Sequence, residues 1–107
     1  MSARSFVIAA ASVVSSPEGR LGAYDWQALA RELGERAITV NTVQPGPTDS
    51  DLNPASDPVA APKMLADTAL KRYGHVDEIA TLVAFVAGPE SGFITGASLT
   101  IDGGTNA

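Results

Sequence analysis

The stretch Asn41-Thr42-Val43-Gln44-Pro45-Gly46-Pro47-Thr48-Asp49-Ser50-Asp51-Leu52-Asn53-Pro54 breaks at Pro45-Gly46 into a polar loop that gathers oxygen-bearing side chains between prolines, an arrangement suited to holding a ligand. Asp49, Asp51 and Asn53 have the D-x-D-x-N opening of a calcium-binding EF-hand loop. Pro54 stands where that loop needs glycine for its sharp turn, and Ala60 stands where it needs a bidentate glutamate, so the calcium reading fails on chemistry. His75 is the one histidine, with Asp77 and Glu78 beside it. A single imidazole without further histidine or cysteine reads as an exposed loop residue before it reads as a metal ligand or a base. Gly88, Gly92 and Gly96 follow a helical segment, whereas a phosphate-cradling loop follows a strand, so turn-making is the better account of them. No metal site is expected.

The elements that must position this loop alternate along the chain. Phe6 to Ala11 is a continuous apolar run suited to a strand covered on both faces, and Ser15 to Gly22, with Pro17, Gly19 and Gly22, is a loop. Asp25 to Gly34 reads as a short helix, with Asp25 favouring its start, Leu29 and Leu33 one turn apart, and Gly34 as its stop. Ala37 to Val43 is a second strand, broken at Pro45-Gly46, and the loop after it reaches about Pro62. Lys63 to Arg72 is helical in character, with Leu65, Ala69 and Leu70 on its inner side and Gly74 as its end. Asp77 and Glu78 open the clearest helix, whose Ile79, Leu82, Val83 and Val86 form an i, i+3, i+4, i+7 stripe. Gly88-Pro89 stops it, and a last strand covers Ser98 to Ile101. Trp26 and Phe85 are expected at a core or an interface.

Strand, helix, strand, helices, strand is the pattern of an open parallel sheet. Such sheets hold their ligands beyond the carboxyl ends of the strands, and that is where the loop following Val43 falls. The chain of 107 residues is one domain at this size, with 45% apolar and 18% charged residues, which is ordinary for a globular protein. A net charge of -5 with seven scattered basic residues argues against nucleic acid or an anionic membrane as partner. The absence of cysteine excludes a disulfide framework and a thiolate nucleophile and suits a cytoplasmic protein. Met1 to Arg4 followed by Phe6 to Val14 has the outline of a signal peptide, but the same run is equally a buried strand; no run is long enough to span a bilayer.

Two stretches carry a resemblance. Leu29 to Pro54, "LARELGERAITVNTVQPGPTDSDLNP", resembles the region around the Pro-Gly motif of the short-chain dehydrogenase/reductase family, nearest the 3-oxoacyl-acyl carrier protein reductase group. "RYGHVDEIATLVAFVAGPESGFITGASLTIDGG", ending at Gly104, resembles that family's C-terminal helix and last strand. The resemblance implies an α/β fold, a truncated Rossmann-like parallel sheet of about three strands with flanking helices, taken from a family sheet of about seven. It implies a single truncated domain over residues 1–107, the C-terminal part of such an enzyme.

The implied chemistry is NAD- or NADP-dependent hydride transfer between a nicotinamide and a carbonyl or alcohol. In the family a serine orients the substrate oxygen, a tyrosine gives or takes the proton, and a lysine lowers the tyrosine pKa and holds ribose. Ser12 matches the serine and Tyr24 the tyrosine, while the lysine position four residues later is Ala28 and no lysine occurs before Lys63. On the nicotinamide side the match assigns Pro45 and Gly46 to shaping the loop, the backbone of Thr48 to the carboxamide, and Ser50 to a hydroxyl position. The glycine-rich turn that binds pyrophosphate is not in the sequence. Ser12 and Tyr24 have a plain alternative as a strand-end hydroxyl and a partly buried phenol.

Two functional classes follow. One is a short-chain oxidoreductase acting on a small carbonyl substrate with impaired or absent activity; the other is a catalytically silent remnant that serves as an oligomerisation or protein-binding module. A three-stranded sheet leaves the edge of the strand at Phe6 to Ala11 open, which predicts a homo-oligomer, dimer or tetramer, or a rearranged first segment.

Overall fold

The computed structural model describes residues 4–9 and 26–107. Three strands, β1 (Arg4–Ala9), β2 (Ile38–Pro45) and β3 (Ser98–Ile101), form one parallel sheet in the order β1-β2-β3. Three α-helices connect and flank them: α1 (Trp26–Leu33), α2 (Ala60–Asp67) and α3 (Val76–Ala87). The α/β architecture matches the expectation. Ser12, Tyr24, the loop Ser15 to Gly22 and the cap at Asp25 lie outside the described residues.

β2 is the central strand. Its first six residues, Ile38 to Val43, are all buried, which requires cover on both faces because successive side chains point to opposite sides. Ile38 and Val40 share one face and pack with Ala30 of α1, around which Trp26, Leu29 and Leu33 close. α3 lies against β1 and, less extensively, against β2, and turns its stripe of Ile79, Leu82, Val83 and Val86 inward; Val86 is fully buried. Trp26 joins this core, whereas Phe85 does not: it sits on the outer side of α3 and is exposed.

Three features at the element ends go beyond the sequence reading and have identifiable reasons. The chain leaves α1 through a 3-10 turn, Gly34–Arg36, and the left-handed residue is Ala37 (φ 58°), whose N–H donates to Gly34 O at 2.9 Å. Gly34 directly follows the last residue of α1, as expected, and the left-handed turn comes three residues later. β2 runs on to Pro45 because β3 continues to pair with it, Gln44 against Thr100 and Pro45 against Ile101; proline is tolerated there because Thr42 and Gly46 donate towards β3 and the alternation of the strand turns the Pro45 nitrogen away from it.

The third feature concerns α2, which starts at Ala60 and ends at Asp67. Its start is fixed by Asp57, whose Oδ1 accepts the N–H groups of Val59 (2.8 Å) and Ala60 (3.1 Å). The helix stops because Thr68 is extended and the following residues are claimed by the end of the chain: Leu70 N–H donates to Gly103 O at 3.0 Å. The inner side of this segment is accordingly Ala61, Leu65, Thr68 and Tyr73, while Ala69 and Leu70 are exposed.

Candidate functional site

The carboxyl ends of β2 and β3 meet at Gly46 and Asp102. Gly46 N–H donates to Ile101 O at 3.0 Å, extending the β2–β3 ladder by one bond past the strands. A Cβ on Gly46 would lie 2.6 Å from Asp102 Cβ and 2.7 Å from its Cα, so glycine is required by contact between the two chain segments. Asp102 in turn organises the end of the chain. Its Oδ1 accepts Gly104 N–H (2.8 Å), its Oδ2 accepts Asn106 N–H (3.2 Å), and its carbonyl accepts the Thr105 hydroxyl (2.8 Å). Gly103 and Gly104 adopt positive φ in this turn, and a Cβ on Gly104 would strike Ala69 Cβ at 2.5 Å.

Beyond Gly46 the loop is ordered by backbone pairing. Gly74 N–H donates to Pro47 O at 2.9 Å and Asp49 N–H donates to Gly74 O at 3.0 Å, which makes Thr48 and Gly74 a parallel bridge. In that geometry the peptide groups flanking Thr48 are spent on Gly74, and the N–H and C=O of Thr48 itself point to the opposite, open edge. The Thr48 hydroxyl folds back to donate to Gly46 O at 2.9 Å. Ser50 is exposed and its backbone is committed to Asn53, with N–H to O bonds of 3.3 and 3.1 Å in a small antiparallel bridge. Asp49 closes the loop by accepting Ala55 N–H at 2.8 Å, so this carboxylate acts as a turn cap.

Behind the bridge, residues 72–78 are held by charge. Arg72 and Glu78 form a bidentate pair, Nη1 to Oε1 at 2.8 Å and Nη2 to Oε2 at 3.0 Å. Glu78 Oε1 also accepts His75 N–H at 3.0 Å, and Arg72 Nη1 donates to Tyr73 O at 3.0 Å. These bonds, the Arg72 pair first and the His75 N–H second, lower the Glu78 pKa from 4.5 to about 2. The same pair raises the Arg72 pKa further above its already high value. Asp57 is lowered by its hydrogen bonds from Ala60 and Val59. His75 is exposed and occupies the position before α3, where its peptide serves the helix cap. A cavity of about 100 Å³ lies in this region, walled by Pro47, Leu70, Arg72, Gly74, Ile79 and Ile101 among others.

Of the residues assigned from sequence, Pro45 is the last residue of β2, and Gly46, Thr48 and Ser50 lie on the loop that follows it at the carboxyl end of the sheet. Ala28, which the resemblance sets where the family has lysine, is on the exposed side of α1. Sequence reasoning missed Asp102 and Gly74, although the Asp-Gly-Gly run and the Tyr-Gly-His step marked turns at both places. Among the described residues no helix is long and apolar enough to cross a membrane.

The family model for enoyl-(acyl carrier protein) reductase matches residues 26–106. The chain belongs to the short-chain dehydrogenase/reductase family. A cyclic-di-GMP-binding biofilm dispersal mediator protein of Escherichia coli is 52% identical over 80 residues, 74% of this chain and 33% of that protein. A 3-oxoacyl-[acyl-carrier-protein] reductase of Pseudomonas aeruginosa is 41% identical over 78 residues, 73% of this chain and 32% of that protein. Among solved structures, a short-chain dehydrogenase from Burkholderia cenocepacia in complex with NADP superposes with a TM-score of 0.73 at 55% identity, covering 77% of this chain and 33% of that one. This short-chain dehydrogenase/reductase chain thus spans about a third of the length of the relatives it matches.

Proposed function

We propose that this chain, taken as one unit over residues 1–107, carries the nicotinamide side of an NAD(P)-dependent carbonyl/alcohol oxidoreductase site. The observation that carries the reading is the orientation of Thr48, whose peptide N–H and C=O face the open edge of the loop while Pro47 and Asp49 are tied to Gly74. A carboxamide has one donor and one acceptor side and is the complement of that pair. Pro45 and Gly46 hold the loop to β3, and Ser50 adds a hydroxyl near its rim. When bound, a dihydronicotinamide supplies hydride to a carbonyl carbon.

The chain's own part in the reaction is positioning and proton transfer. Ser12 orients the substrate oxygen, and Tyr24 delivers the proton to that oxygen in reduction or removes it in oxidation. With Ala28 in place of lysine, the phenol lacks the cation that would stabilise its ionised form, so the rate is expected to be impaired or nil. The carboxamide contacts by themselves are weak, each hydrogen bond netting about 1 kcal/mol against the roughly 8 kcal/mol of micromolar binding.

Calorimetric titration with NADH and NADPH tests the reading, followed by NADPH oxidation over a panel of small carbonyl compounds. Micromolar binding supports it, as does any turnover that is lost in Tyr24→Phe; no heat of binding with either nucleotide overturns it.

A second reading, a silent oligomerisation or protein-binding module, is favoured by the apolar surface. Leu52, Val59, Leu70, Val76, Phe85 and Phe93 are all exposed, with Leu52 at 99%. Under this reading the chain forms a homo-oligomer, and a soluble monomer in sedimentation or light-scattering measurements would count against it.

A further inference from the structure

We propose that Arg72 and Glu78 are a positioning pair for the Thr48 peptide. The inference rests on the nicotinamide-side reading above and names what holds that side in shape. Thr48 owes its orientation to one residue, Gly74, which accepts from Asp49 and donates to Pro47. Gly74 is flanked by Tyr73 and His75, and both neighbours are gripped by the same ion pair: Arg72 Nη1 donates to Tyr73 O at 3.0 Å, and Glu78 Oε1 accepts His75 N–H at 3.0 Å. The two parallel bonds between the guanidinium and the carboxylate, 2.8 and 3.0 Å, close the ring around the Gly74 peptide.

Geometry distinguishes this pair from an ordinary surface ion pair. Both side chains are about half exposed, and an isolated pair of that kind contributes little to global stability. Here each partner also bonds a backbone group next to Gly74, so its effect falls on the local path of residues 73–75. A bidentate fork fixes direction as well as distance, which a lysine in place of Arg72 could not do. The chain of dependence runs from Glu78 at the start of α3, through Gly74, to the loop of Thr48. Removing either side chain frees the Gly74 strip and with it the Pro47–Asp49 peptides, while the β2–β3 ladder stays intact.

Amide hydrogen exchange on the full chain without nicotinamide, read by NMR, tests the proposal. In Arg72→Ala and in Glu78→Ala the Asp49 and Gly74 amides exchange about tenfold faster or more, while Thr42 and Gly96 in the β2 ladder keep their protection. The double variant shows no further acceleration, because either single change already breaks the ring. Glu78→Gln, which retains an oxygen for His75 N–H, recovers part of the protection. Unchanged exchange at Asp49 and Gly74 would overturn the proposal, and so would acceleration of all four amides together, which reports a merely structural role. A wild-type titration with NADPH, run separately, decides the nicotinamide reading itself, so the two can fail independently.

Discussion

Gly46 and Asp102 touch through their main chains: a Cβ at Gly46 would stand 2.6 Å from the Asp102 Cβ and 3.0 Å from its carbonyl oxygen. The contact joins the loop that follows β2 to the turn that follows β3, and it leaves no flexible side-chain end to yield. Gly46→Ala must therefore push the two strand ends apart. The expected cost is about 2 kcal/mol or more, seen as a lower urea midpoint at constant slope. A midpoint equal to that of the parent chain would show that the approach is looser than described.

Asn41 is a fully buried polar residue in the middle of β2 and links that strand to the segment before β3. Its Nδ2 donates to Ile94 O and its Oδ1 accepts Ala97 N–H, both at 3.1 Å. Asn41→Ala leaves the Ile94 carbonyl and the Ala97 N–H without their side-chain partner, with an expected loss of about 2 kcal/mol. Thermal unfolding followed by circular dichroism checks it, and Asn41→Asp, which turns a carboxylate oxygen towards Ile94 O at a fully buried position, should cost at least as much at neutral pH.

Ala37 is held in the left-handed region at φ 58° and ψ 38°, a conformation costly for any residue with a Cβ. Its side chain is exposed, so a change there loses little contact. Ala37→Gly should stabilise the chain by about 1 kcal/mol, the relief of strain exceeding the extra freedom that glycine gives the unfolded chain. A calorimetric melting temperature that falls in this variant would contradict the assigned backbone geometry.

The Arg72–Glu78 pair carries a pH signature. Glu78 titrates near 4.5 when unperturbed and at about 2 in the folded chain, so its contribution is complete above 4.5 and is lost as pH falls through about 2. The carboxyl carbon shift of Glu78, followed by NMR from pH 7 downwards, should move only near the bottom of that range. Arg72→Ala should return the midpoint towards 4.5; an unchanged midpoint would mean that the guanidinium is not the main cause of the shift.

How far the sequence alone reached can be seen element by element. The stripe of α3 and the apolar run of β2 were legible because a periodic pattern is local: Ile79, Leu82, Val83 and Val86 announce an inner face without reference to anything else. β3 was read with its observed bounds, Ser98 to Ile101. The family resemblance likewise rests on contiguous stretches, which set Pro45, Gly46, Thr48 and Ser50 close together along the chain.

The end of α2 was decided elsewhere. Lys63 to Arg72 has helical composition throughout, yet the helix stops at Asp67 because Leu70 bonds to Gly103 and Gly104 presses on Ala69. Only the fold brings the last residues of the chain to that place. The need for glycine at position 46 is of the same kind: nothing beside it in the chain forbids a side chain, and the obstacle is Asp102 at the end of another strand. The direction in which Thr48 presents its N–H and C=O was equally invisible, since it follows from the partner chosen by its neighbours, Gly74. Local pattern determined which segments are strands and helices; contacts between segments distant in sequence decided where they stop and which backbone groups remain open, because those depend on hydrogen bonds and close approaches that only a folded chain can make.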